Sequence, residues 1–128
     1  VIYLLDTHLL LWAAGAPEKL SATATSLISD ERSGLMFSAA AIWEVAIKSQ
    51  LGRADFRVDL RQLRRGLLDN GYTELAIDSS HTIATLDLPA THKDPFDRIQ
   101  VAQAKVEGLV LLTADLAMAD YGAPVELV

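Results

Sequence analysis

The stretch VIYLLDTHLLLWAAG, residues 1–15, decides how the chain folds. Residues 1–5 are a continuous apolar run of strand-forming residues, Asp6 interrupts it, and His8 to Gly15 reads as a helix that Gly15 and Pro17 terminate. A strand that is apolar at every position has no face to offer water, so it predicts a strand covered on both sides, the mark of a parallel sheet between helical layers. The same grammar recurs along the chain. GLMFSA at 34–39 leads into a helix, AAIWEVAIKSQLG, closed by Gly52. YTELAI at 72–77 is followed by the short helix SSHTIATL, and LVLLTA at 109–114 follows a helix running from Pro95 to Gly108. PVELV at 124–128 makes the last strand, after a short helical turn. Ser21 caps a further helix expected to reach Arg32, and Asp59 caps another that ends at Asn70 and Gly71. The expected fold is α/β: a three-layer α/β/α arrangement with a central, mostly parallel sheet, residues 1–128 forming one domain.

Composition narrows the function. With 51% apolar and 22% charged residues the chain carries a substantial core. No apolar run approaches the roughly 18 residues of a membrane span, and the first stretch is broken by Asp6 and His8 without a basic leader, so a cytoplasmic address away from membranes is expected. Cysteine is absent, which removes disulfides, thiolate zinc sites and cysteine nucleophiles together. A net charge of −6 argues against a surface that coats nucleic acid all over. The basic residues are nevertheless concentrated: Lys48, Arg53, Arg57, Arg61, Arg64 and Arg65 fall between positions 48 and 65. Taken singly, each is an ordinary solvated residue of a helix face. As a group they suit a phosphate backbone or the acidic segment of a partner.

In open α/β sheets ligands bind where the strands end. Asp6 directly follows the first strand and Asp115 follows LVLLTA, so both belong on one edge of a parallel sheet. Asp97 lies in the first turn of the helix feeding LVLL, Asp94 just precedes that helix, and Glu44 sits about one and a half turns into the helix after GLMFSA. Capping explains several of these acids alone: Asp94 as N-cap before Pro95, Asp97 near the positive helix end, Asp6 and Asp115 as caps after strands. Glu44 and Lys48 are spaced as an i, i+4 pair worth about 0.3–0.5 kcal/mol on a surface. Yet Glu44 is flanked by Trp43, Val45, Ala46 and Ile47, and an acid among apolar neighbours needs a partner. Carboxylates converging on one crevice repel one another, and a divalent cation relieves the repulsion. With no cysteine and no paired histidine spacing, the donors favour Mg²⁺ or Mn²⁺ over zinc, a chemistry suited to hydrolysing phosphodiesters by metal-activated water. Thr7 and Thr113 are placed to orient a carboxylate or that water. His8, His81 and His92 are scattered and read as incidental, and Arg98 reads as the structural partner of a neighbouring acid.

LLDTHLLLW (4–12), SAAAIWEVAIKSQLGR (38–53), HKDPFDRIQVAQA (92–104) and LLTADLAMADYG (111–122) resemble the successive motifs of PIN-domain ribonucleases, in particular the VapC toxins of bacterial type II toxin–antitoxin modules. The resemblance implies an α/β/α endoribonuclease, often a homodimer, that cuts RNA with Mg²⁺ or Mn²⁺. It also implies a cognate antitoxin whose tail occupies the cleft and whose other end binds DNA. The catalytic and metal-binding acids then map onto Asp6, Glu44, Asp97 and Asp115, with Asp94 as a secondary acid and helix cap. Contacts to RNA or partner fall to Lys48, Arg57, Arg61, Arg64 and Arg65. Two other classes compete. A phospho-accepting receiver domain shares the size and an acidic Mg²⁺ pocket, but it wants adjacent acids after the first strand and a lysine late in the chain; here Asp6 stands alone and no lysine follows Lys105. In a non-catalytic binding module the acids would only cap helices.

Overall fold

The apolar run of residues 1–5 becomes the central strand. The computed structural model describes all 128 residues. In chain order the elements are β1 (Ile2–Leu5), α1 (Thr7–Gly15), α2 (Ala22–Ser29), β2 (Gly34–Ser38), α3 (Ala39–Gln50), α4 (Leu60–Asp69), β3 (Thr73–Leu75), α5 (Ser79–Ala84), α6 (Pro95–Glu107), β4 (Val110–Thr113), α7 (Leu116–Ala119) and β5 (Val125–Leu127). The strands align in the order β3-β2-β1-β4-β5, and every pair is parallel. The chain steps outward from β1 to β2 and β3, then returns to lay β4 and β5 on the other side of β1. Between β1 and β4, therefore, the connections leave toward opposite faces and open a crevice at the carboxyl edge.

Alternation along β1 sorts the two cores. Tyr3 and Leu5 pack with Leu9 and Leu10 of α1, Phe37 of β2, Ala41 of α3 and Leu67 of α4. Leu4 points the other way, into Val101, Ala102 and Ala104 of α6, Leu111 of β4 and Met118 of α7. Successive side chains of a strand face opposite ways, so an all-apolar strand feeds both layers at once. Leu4, Leu5 and Leu10 are completely buried, each contributing about 1.5–3 kcal/mol of transfer free energy.

The helix that carries Asp97 is bounded by two local devices. Asp94 caps its start, accepting the main-chain N–H groups of Phe96 at 2.9 Å and Asp97 at 3.1 Å, with Pro95 in the first helical position. Gly108 ends it in the left-handed region (φ 70°), where a side chain would be strained. One expected boundary shifts: α2 stops at Ser29 rather than Arg32, because Arg32 folds back onto Asp30 through its main-chain N–H (2.9 Å) and its guanidinium (3.1 and 3.0 Å). No helix is long and apolar enough to cross a membrane. Truncating Leu4 or Leu5 to Ala is expected to cost about 2–5 kcal/mol each in urea unfolding, although the two open cavities in different layers. A loss well under about 1 kcal/mol for either would contradict the central place assigned to β1.

Candidate acidic site

Asp6 leaves β1 and caps α1: one carboxylate oxygen accepts the Leu9 N–H at 2.9 Å, and the other accepts the Thr113 hydroxyl. That hydroxyl also accepts the main-chain N–H of Asp115 at 3.0 Å. One side chain thus ties the ends of β1 and β4 together, and the Asp6 N–H adds a bond to the Leu112 carbonyl at 3.0 Å. Asp6 is 4% exposed, and burial pushes its carboxyl above the ordinary value against the pull of the Thr113 and Leu9 bonds. Asp115 is exposed, caps α7 through the Ala117 N–H at 2.9 Å, and adds to the upward push on Asp6.

Glu44 reaches the same crevice from α3. It too is 4% exposed; Thr7 donates to one of its oxygens and Lys48 to the other, both at 2.5 Å. The expected i, i+4 pair therefore exists, but buried, where removing one partner strands a charge. Asp97 is half-buried in the first turn of α6, and its carboxyl is raised from 3.8 to about 7. Burial is the main cause, followed by repulsion from Asp94, Glu44, Asp115 and Asp6. The residues repelling Asp97 are the acids singled out in the sequence, drawn from separate elements to one edge of the sheet.

Other expectations are corrected. Lys48 points inward to Glu44 and its side chain is only 20% exposed, so it leaves the basic stripe. Arg64 is held by Glu74 through paired bonds of 3.1 and 3.0 Å. Arg57, Arg61 and Arg65 are exposed and form no ion pair. Arg98 pairs with no acid; its guanidinium donates to the carbonyls of Pro89 (2.6 Å), His92 (2.8 Å) and Thr85 (2.8 Å), a fork of donors matched to converging main chain. His81 is not incidental to the structure: it is 1% exposed, its Nδ1 accepts the Asp78 N–H at 3.1 Å, and its Nε2 lies 2.8 Å from a Glu107 oxygen. Asp78, His81 and Glu107 place one potential ligand atom each within 4.8 Å of one another, closer than the crevice acids come. Glu107 is ten residues beyond Asp97 on the same helix, about 15 Å along its axis, so the two groups are separate. His81 already spends both ring nitrogens, one in the box that caps α5.

Sequence reading missed the buried amides. Gln100, one turn beyond Asp97 and 1% exposed, extends its Nε2 toward the Thr7 hydroxyl (3.4 Å) and the Phe96 carbonyl (3.3 Å), and its Oε1 is buried without a partner. Gln103 accepts the Ser38 hydroxyl at 2.5 Å and donates to the Ala76 carbonyl at 3.3 Å. Their signal was two amides on the apolar face of a helix, a placement that needs hydrogen-bond partners. Gln100, Thr7, Glu44 and Lys48 form a continuous chain behind the crevice.

A PIN-domain family model matches residues 3–124. Among solved structures, the chain is similar to VapBC2 from Rickettsia felis bound to a promoter DNA fragment (12% identity, TM-score 0.70, covering 100% of this chain and 98% of that one). It is also similar to DNA-bound VapBC from Salmonella typhimurium (17%, 0.70, 100% and 97%). A third is VapC20 from Mycobacterium tuberculosis, a sarcin–ricin loop cleaving toxin (14%, 0.67, 94% and 95%). Identities this low show the shared fold. No curated protein matches the chain.

The raised Asp97 sets a sign for stability. Between its ordinary value of 3.8 and about 7, the folded chain keeps a proton that the unfolded chain has released, so stability falls as pH rises through that window. Asp97→Asn removes the effect. In thermal unfolding with chelator present, the variant's advantage over the parent is expected to grow between about pH 4 and pH 7 and then level off. A difference independent of pH would contradict the assigned environment.

Proposed function

This chain belongs to the PIN-domain family, and we propose that it is a metal-dependent endoribonuclease of the VapC toxin type, neutralised by a cognate antitoxin. The observation that carries the reading is the half-buried Asp97, its carboxyl raised to about 7 by burial first and then by repulsion from Asp94, Glu44, Asp115 and Asp6. The residues present fit a hard divalent cation. They offer carboxylate oxygens, no sulfur, and mutual repulsion that a cation relieves. Asp6, Glu44, Asp97 and Asp115 would hold Mg²⁺ or Mn²⁺, with Asp94 as helix cap and outer acid. When bound, the ion lowers the pKa of a coordinated water and stabilises charge on the leaving oxygen of a phosphodiester.

The chain's own groups prepare that chemistry. Thr113 fixes the direction of Asp6, while Thr7 and Lys48 fix Glu44. Lys48 also balances one of the charges, and each Glu44 oxygen keeps a lone pair beyond the bond it accepts. The N-terminus of α6 favours a phosphate beside Asp97. Arg57, Arg61 and Arg65, the members of the basic stripe without ion-pair partners, are assigned to the RNA backbone. The similar structures, VapBC complexes on DNA and a toxin that cleaves the sarcin–ricin loop, support an antitoxin partner and an RNA substrate. A homodimer acting in the cytoplasm is the matching assembly and address. The solitary Asp6 after β1 and the family membership disfavour the receiver reading.

Asp6→Asn and Asp97→Asn are each expected to lower Mn²⁺-dependent cleavage of RNA on the order of a hundredfold or more with the circular dichroism spectrum unchanged. Full activity in both would refute the assignment, as would cleavage that survives chelator. Reversing charge at Arg61 and Arg65 is expected to weaken RNA binding and reduce its salt slope by about one for each phosphate no longer neutralised. An unchanged slope would remove those arginines from the RNA path.

A further inference from the structure

Gln100 is a polar residue that neither a helix cap nor an ion pair explains. It is buried on α6, where its neighbours Val101, Ala102 and Ala104 pack into the apolar core, and its Oε1 has no hydrogen-bond partner. An amide in that setting is less favourable than an apolar side chain of similar size, because a buried acceptor loses its water and gains no donor in exchange.

The bonds that Gln100 does make run toward the acids. Its Nε2 carries two hydrogens and donates to the Thr7 hydroxyl at 3.4 Å and to the Phe96 carbonyl at 3.3 Å. Both bonds are long, so they contribute direction more than stability. A hydroxyl that accepts from the amide keeps its single proton for another acceptor, and Thr7 gives that proton to Glu44 at 2.5 Å. The bond to Phe96 ends on the turn that carries Asp97, which stands three residues before Gln100 and so on the same side of α6. One amide thus connects two crevice acids that arrive on different helices, Glu44 on α3 and Asp97 on α6.

Resting on the metal-dependent nuclease reading above, we propose that Gln100 is a positioning residue of the acidic crevice: through Thr7 it sets the direction in which Glu44 presents its oxygens, and through the Phe96 carbonyl it ties that direction to the turn bearing Asp97.

Packing alone does not account for the residue. Methionine has nearly the same length and fills such a space without a polar atom in need of a partner. Lys48 holds the other Glu44 oxygen but comes from the same helix as Glu44, whereas the path through Thr7 and Gln100 joins Glu44 to α6. A positioning role therefore predicts that stability without a cation and affinity for a cation move in opposite directions when the amide is removed.

The test measures Mn²⁺ binding by calorimetry, and thermal unfolding in chelator, on the parent chain and on Gln100→Met. The variant is expected to unfold in chelator no lower than the parent, having lost an orphaned acceptor. It is expected to bind Mn²⁺ roughly tenfold more weakly, the smaller end of the effect of residues that orient a metal's ligands. Thr7→Val cuts the same path at its middle, so in that background Gln100→Met is expected to change Mn²⁺ affinity by less than about twofold. Should the Met variant not fold, Gln100→Leu takes its place in every measurement. Mn²⁺ affinity equal to the parent's overturns the proposal. So does a lowered unfolding midpoint in chelator, which marks ordinary packing, and so does a loss of affinity that is as large with Val at position 7 as with Thr. If Gln100→Met weakens Mn²⁺ binding as expected and the parent cleaves no RNA, the nuclease reading fails and the positioning role stands. If the parent cleaves RNA and the variant binds Mn²⁺ as tightly as before, the positioning role alone fails. A parent that binds no Mn²⁺ removes both.

Discussion

Like charges held together against their repulsion are the constraint on which the rest of this structure depends. Parallel strands all finish at one edge, so the residues that follow β1 and β4 cannot avoid each other. The chain adds Glu44 from α3 and Asp97 from α6 to that edge, and burial first, then repulsion from the neighbouring acids, raises the Asp97 carboxyl. The fold tolerates the arrangement through directed bonds. Thr113 spends one hydroxyl on both strand ends, and Lys48 and Thr7 each hold one oxygen of Glu44.

Behind the acids the core is unusually polar for its depth. Gln100 and Gln103 occupy buried positions of α6 where leucine would pack without any hydrogen-bond requirement. Gln103 meets its requirement by joining the end of β2 to Ala76, the residue directly after β3. Gln100 meets it only in part, leaving an oxygen unpaired beside the Thr7–Glu44 pair. A buried polar chain of this kind gives up some stability and holds side chains in one direction. Precision of that sort matters most where a carboxylate must be presented at a fixed angle.

Much of this was legible in the sequence, for identifiable reasons. Short apolar runs without alternation, bounded by turn residues and separated by helices, suit strands covered on both faces, and that fixes where Asp6 and Asp115 emerge. The Asp94–Pro95 cap is local chemistry, visible from adjacent residues. Tertiary partnership was not visible. Nothing near Arg98 in sequence announces that it will clamp the carbonyls of Thr85, Pro89 and His92, and Arg64 finds Glu74 only because α4 packs beside β3. His81 looked like one scattered imidazole because its partners are a cap three residues away and the far end of α6. Along the basic stripe, spacing says which residues share a face, and packing decides which remain free: Lys48 turns to Glu44 and Arg64 to Glu74.

Two groups of possible ligands compete for any divalent ion, and their separation along α6 makes them easy to distinguish. The tighter one, Asp78, His81 and Glu107, satisfies itself internally; the looser one at the crevice carries repulsion that an added cation relieves. Anomalous diffraction from crystals grown with Mn²⁺ reads the choice directly. The manganese peak is expected among Asp6, Glu44, Asp97 and Asp115; a peak beside His81 with an empty crevice would contradict the assignment of the acids to a cation.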